Sequence, residues 1–138
     1  MIETLHVRHL LDDRFAIDVR GHTVQVDQPV DAGGTDAAPT PTELFVAGLA
    51  SCVAFYARRY LARHAIDPAG LAVSASYVIG GRPARVREMK IVISPPSALP
   101  IERRDAFLAV ASHCTVHNTL TAPADVAVVL AAPVRSGA

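Results

Sequence analysis

Two cysteines, Cys52 and Cys114, are the residues of this chain best suited to covalent chemistry. Two thiols distant in sequence can act in turn if the fold joins them. The first is oxidised by a peroxide to a sulfenic acid, and the second condenses with it to a disulfide. Each cysteine also has a plainer reading. Cys52 lies in the uncharged run Leu44 to Tyr56, LFVAGLASCVAFY, and a cysteine inside such a helix is either a small hydrophobe or a reactive thiol. Ala50, Ser51 and Ala54 leave room around its sulfur that larger side chains would fill. Cys114 sits among polar residues in SHCTVHN, which suits a site better than a core, although a helix-end residue packed underneath would look the same.

Two alternatives use the same residues. His113, Cys114 and His117 have a spacing that can share one side of a helical turn, but a structural zinc site wants four ligands and would need Cys52 as the fourth. No metal is therefore expected. A Cys52–His117 nucleophilic pair is the other option. Whatever the partner, a thiol with an ordinary pKa of about 8.5 is only a few per cent thiolate at neutral pH, and burial lowers that fraction further. The start of the helix lies more than two turns from Cys52, too far for its dipole to help, so a cation must come from elsewhere.

The elements that position these residues can be read from punctuation and periodicity. Alternating stretches in residues 2–26, broken at Leu11-Asp12-Asp13 and Arg20-Gly21-His22, predict two or three antiparallel strands. Pro29 to Pro39 is a loop. Thr40 as N-cap, Pro41 at the first helical position and Glu43 at the third form a capping box, predicting a helix from Pro41 to about His64. Leu44, Phe45, Val46, Leu49, Val53, Ala54 and Phe55 cover nearly its whole circumference, so the helix should be central and buried. Arg58, Arg59, Arg63 and His64 gather where the macrodipole favours cations. Strands are expected at Leu71–Ile79 and Val86–Ile93, a second helix at Leu99–His113 and a last strand at Asp125–Ala131. The order β-β-β-α-β-β-α-β makes an α+β fold, read as one domain over residues 1–138.

Composition narrows the function classes. The 138 residues are 51% hydrophobic and 19% charged, typical of a soluble globular chain rather than a disordered one. Thirteen basic residues balance thirteen acidic ones, which gives no electrostatic footing for nucleic acid. With no Trp and 5% aromatics, stacking platforms for bases are few. The start, MIETLHVRHLL, contains Glu3 and no apolar secretory core, and the run at Leu44–Tyr56 is too short to cross a bilayer. The expected compartment is the cytoplasm, with no membrane partner. Zero net charge does little to keep copies apart, so self-association is expected.

The motif Pro39-Thr40-Pro41-Thr42-Glu43-Leu44 followed by Ala47-Gly48-Leu49-Ala50-Ser51-Cys52, together with Cys114-Thr115-Val116-His117-Asn118-Thr119-Leu120, resembles the OsmC/Ohr family of thiol-dependent hydroperoxide reductases. The likeness extends to Val26-Asp27-Gln28-Pro29 and Gly33-Gly34. It implies an intertwined homodimer with two long central helices and active sites at the subunit interface. It also implies that Cys52 attacks an organic hydroperoxide, Cys114 resolves the sulfenic acid, and a dithiol reductant such as a lipoylated protein restores both, with no cofactor. The family's organic-hydroperoxide branch has a Glu ten positions before the first cysteine, paired with an Arg. Here that position is Thr42. The available acid, and so the candidate activating carboxylate, is Glu43, although it lies nine positions before Cys52, half a revolution round the helix, and already has a capping role. Among the early strands Arg14 is the first candidate for the activating cation and Arg20 the second. Leu44, Phe45, Leu49 and Phe55 would supply an apolar lining favouring organic hydroperoxides over hydrogen peroxide. A non-catalytic family member that binds a small molecule or senses redox state is the competing expectation.

Overall fold

The computed structural model describes residues 2–134. In chain order it has β1 (His6–Leu11), β2 (Arg14–Val19), β3 (His22–Val26), α1 (Pro41–Arg63), β4 (Ala72–Gly80), β5 (Arg85–Ser94), α2 (Arg104–Ala111) and α3 (Thr115–Thr121), with single 3-10 turns at Val30–Ala32 and Ile101–Arg103. The architecture is mixed α+β: three helices and two small antiparallel sheets, β1-β2-β3 and β4-β5.

The first sheet is a meander. Arg20 and Gly21 both take positive φ between Val19 and His22, the two-residue turn whose twist matches the strands it joins. Phe15 then faces Val26, and Ile17 faces Val24. In the second sheet the long β4-β5 hairpin runs from Ala72 opposite Ser94 to Gly80 opposite Arg85.

Helix α1 begins as its sequence dictates. Thr40 is extended, its side chain accepts from the Glu43 amide at 3.1 Å, and the Glu43 carboxylate accepts from the Thr40 amide at 2.8 Å. The helix stops when Ala65 enters the left-handed region. The amides of Ala65 and Ile66 then bond back to the carbonyls of Ala62 and Leu61, a Schellman closure. Its buried stripe of Leu49, Val53, Ala57, Tyr60 and Leu61 packs with Leu99, Phe107, Ala111 and Cys114. Full burial of side chains such as Leu61 and Phe107 stabilises the fold by about 1.5–3 kcal/mol each. Met89, Ile91 and Ile93 of β5 close the core from the sheet side.

Three features differ from the sequence reading. The segment expected as one helix at Leu99–His113 is shorter and divided. Pro100 precedes a 3-10 turn, and α2 ends where the Ser112 hydroxyl and His113 Nδ1 bond back to the carbonyls of Leu108 and Ala109. Cys114 then turns extended and opens α3, an unforeseen third helix. The segment Asp125–Ala131 forms no strand. Val126, Val128, Val129 and Leu130 are 84–98% exposed, because no sheet edge of the same chain reaches them. Finally, α1 is buried along one stripe only, leaving Phe45 and Phe55 exposed. By length and composition alone this helix could also cross a bilayer, its 23 residues extending well beyond the uncharged run.

The surface area expresses the same imbalance. A compact monomer of this mass exposes about 6,900 Å². This chain exposes 10506 Å².

Candidate active site at the paired cysteines

Cys52 projects from the middle of α1 at the edge of the buried stripe, partly exposed and packed against the core that includes Cys114. Cys114 is the junction residue between α2 and α3 and is fully buried. Sixty-two positions separate them in sequence, yet the fold packs Cys52 against the core cluster that holds Cys114, near enough for its thiol to act on that of Cys114. Both are free. The local cause is the change of direction after α2: with α2 terminated at Ala111, the chain turns and seats Cys114 beneath α1.

The surroundings of Cys114 explain its protonation state. Burial pushes the thiol up from its ordinary value and the Cys52 thiol adds to that, while the amides of His117 and Val116 pull it the other way. The His117 amide lies 3.4 Å from the sulfur, which acts as the side-chain cap of α3. The inner thiol is thus held protonated beside a more accessible one. On the same face of α1, one turn beyond Cys52, the Tyr56 hydroxyl lies 3.0 Å from that of Thr115, the residue following Cys114.

The other candidates lie elsewhere. Glu43 is engaged in the cap of α1. Arg14 hydrogen-bonds Thr35 at 2.9 Å and has Asp27 4.0 Å away. Neither makes a hydrogen bond or ion pair with Cys52 among the described residues. Arg20 occupies the β2-β3 turn. The expected apolar lining is divided: Leu49 belongs to the core, while Phe45 and Phe55 are exposed. No three His, Cys, Asp or Glu side chains converge as metal ligands among the described residues. His113 Nδ1 is instead bonded to the Ala109 carbonyl and His117 Nδ1 to that of Ser112.

Asp27 is the feature that sequence reasoning passed over. It is the one buried charged side chain among the described residues. Its carboxylate accepts from the amides of Gln28 (2.7 Å), Thr35 (3.3 Å) and Ala37 (3.0 Å) and from the Thr35 hydroxyl (2.7 Å). The Ala37 amide, the Thr35 hydroxyl and the Gln28 amide hold its pKa down to about 2. This knot folds the loop back on itself so tightly that a Cβ on Gly34 would lie 2.1 Å from the Gln28 carbonyl oxygen. It also fixes the group beside which Arg14 rests. The signal was present in the Asp-Gln-Pro strand end followed by a Gly-Gly pair.

The family model for OsmC-like proteins matches residues 33–129, which include both cysteines. The chain belongs to the OsmC-like family. Among solved structures it is similar to an osmotic stress induced and detoxification response protein of Psychrobacter arcticus 273-4, at 27% identity and a TM-score of 0.79, over 86% of this chain and 88% of that one. It also shares its fold with an organic hydroperoxide resistance protein OsmC of Legionella pneumophila (17% identity, TM-score 0.66, 87% and 90% covered). A third likeness is to an organic hydroperoxide resistance protein of Vibrio cholerae with captopril bound in one of its active sites (17%, 0.67, 89% and 88%). No curated protein matches the sequence. Membership in a family that includes hydroperoxide resistance proteins gives the OsmC-like chain its functional setting, and the thiol pair gives it a candidate centre.

Proposed function

We propose that this OsmC-like protein is a two-cysteine peroxidase that reduces organic hydroperoxides in the cytoplasm as part of oxidative-stress defence. The observation that carries the reading is the juxtaposition of Cys52 and Cys114 in one packed cluster across 62 positions of sequence. The Cys52 thiolate attacks the distal oxygen of R–O–OH, the O–O bond breaks, and the alkoxide leaves as the alcohol after taking a proton. Cys52 is then a sulfenic acid. The Cys114 sulfur attacks the Cys52 sulfur, the S–O bond breaks, and water leaves. A dithiol reductant, such as a lipoylated protein, then exchanges with this disulfide, supplying two electrons and two protons that restore both thiols while it is itself oxidised to a disulfide. The different exposures suit the different tasks, since Cys52 is partly exposed to an incoming peroxide and Cys114 is buried.

We infer further that the working form is a homodimer. The area excess of about 3,600 Å² per chain over a compact monomer is more than the roughly 1,000–2,500 Å² that each partner buries in an obligate assembly, so an interface of that size fits within it alongside the exposed run Val126–Leu130. Phe45 and Phe55 on α1 and the whole of β1 contribute to it. In this reading a second copy covers the open face of α1 and brings its own Arg14 to Cys52, supplying the cation that one chain does not. Glu43 stays in its cap.

Thiol titration with intact-mass analysis tests the proposal. One equivalent of cumene hydroperoxide should consume both thiols with a loss of about 2 Da, faster than hydrogen peroxide does. Thiols that survive minutes of excess organic hydroperoxide would overturn it in favour of a small-molecule-binding or redox-sensing role.

A further inference from the structure

We propose that Tyr56 is a positioning residue for disulfide formation, acting through its hydrogen bond to Thr115. The inference rests on the two-cysteine reading above and concerns its second step. Helix α3 spans only Thr115–Thr121, far short of the length at which a helix holds itself together in water, so its place is set by what ties it down. Its first residue is tied to α1 by the Tyr56–Thr115 bond of 3.0 Å, which bridges 59 positions. Cys52 lies one turn before Tyr56 on the same face of α1, and Cys114 lies one residue before Thr115. The phenol and the hydroxyl therefore form a clasp that joins the same two elements as the bond that the chemistry must make.

A clasp there has a chemical purpose. A disulfide tolerates only a narrow range of separations and torsions, and resolution is a unimolecular step whose rate follows the fraction of time the sulfurs are correctly placed. Cys114 has a competing engagement, because its sulfur accepts from the His117 amide as the cap of α3. Movement of α3 as a unit would carry that sulfur away from Cys52 with its cap intact. The Tyr56–Thr115 bond opposes this movement. Tyr56 is only partly buried, and its partner is the neighbour of the resolving thiol, at the start of a seven-residue helix with no fully buried side chain.

The test separates this role from general stabilisation and from the peroxidase reading. In glutathione redox buffers, which need no peroxide, the equilibrium ratio of Cys52–Cys114 disulfide to dithiol should fall roughly two- to tenfold in Tyr56→Phe, the worth of one net hydrogen bond. Thr115→Val should fall equally, the double variant no further, and Thr115→Ser should keep the wild-type ratio. In a single turnover with cumene hydroperoxide, Tyr56→Phe should oxidise Cys52 at the wild-type rate, while its sulfenic acid persists longer and is trapped in greater yield by dimedone. Wild-type ratios in both single variants, or a double variant that falls by the product of the two, would overturn the clasp. If Tyr56→Phe does not fold, Thr115→Val reads the same bond from an exposed position. A glutathione-driven disulfide in a wild type indifferent to peroxide would leave the clasp standing and remove the peroxidase reading. The absence of any intramolecular disulfide would remove both.

Discussion

Replacing each cysteine by serine and by alanine should give opposite orders of stability at the two positions. Cys114 is the N-cap of α3, with its sulfur accepting from the His117 amide. Serine is among the best N-caps and restores that acceptor, whereas alanine leaves the amide without one, at a cost of about 0.5–2 kcal/mol. The serine hydroxyl is buried where Cys114 was, but a buried hydroxyl that is hydrogen-bonded costs little. Cys114→Ser should therefore exceed Cys114→Ala by about 1 kcal/mol, or about 3–5 °C in Tm for a chain of this size. At Cys52, in the middle of α1, no amide awaits an acceptor, and alanine is the better helix former by up to about 0.5 kcal/mol. There alanine should equal or exceed serine. Urea unfolding of the four reduced variants at one protein concentration measures both differences. Alanine as stable as serine at Cys114 would refute the argument, because the buried sulfur would then be packing alone, with no part in starting α3.

The remaining predictions concern charge and assembly. Sedimentation of the wild type at micromolar concentration should give twice the chain mass; a monomer there would remove the inferred second copy. If Arg14 acts across that interface, Arg14→Gln and Cys52→Ser homodimers should each be inactive, and unfolding and refolding them together should restore about a quarter of the wild-type sites by random pairing. Because Cys114 is held above its ordinary value, the native state keeps a proton that the unfolded chain gives up. Stability should thus fall as the pH rises beyond the ordinary thiol range, and Cys114→Ser should flatten that limb in an alkaline stability profile. Asp27 has the opposite sign: its depressed pKa makes the wild type lose stability as the pH falls from the ordinary carboxylate value of 3.8 towards about 2. Asp27→Asn should lack that dependence. It should also quicken hydrogen exchange at Thr35 and Ala37, whose amides lose their carboxylate acceptor.

The sequence was most informative where local chemistry decides structure. Thr40, Pro41 and Glu43 announced the start of α1, and both of the expected capping bonds exist. The two strand pairs were legible from alternation between turn residues. Helix α3 was not, because its opening residue is a cysteine, outside the usual capping set, and TVHNTLT carries little apolar periodicity. Asp125–Ala131 has strand composition, but a strand is a property of two edges, and the sequence does not show whether the second is present. The site divided in the same way. Both thiols could be named from their surroundings, whereas their juxtaposition depends on how α2 ends and the chain turns. Arg14 could be named but not placed, because what holds it is Thr35 beside Asp27, whose three amide donors come together only through the course of the loop.

The exposed run Val126–Leu130 has a consequence for how the protein behaves outside its native assembly. Five consecutive apolar residues of mostly β-branched type, without charge, have the composition of a segment that adds to any open strand it meets. At the concentrations of overexpression this is a route to aggregates. The sequence limits the hazard at both ends of the run: Pro123 and Asp125 stand before it and Pro133 follows it. Prolines cannot extend a hydrogen-bonded ladder, so they fix the segment's usable length to about that of one ordinary strand. Removing Pro133 would lengthen the adhesive stretch, and the loss should be read in soluble yield rather than in the rate of any reaction.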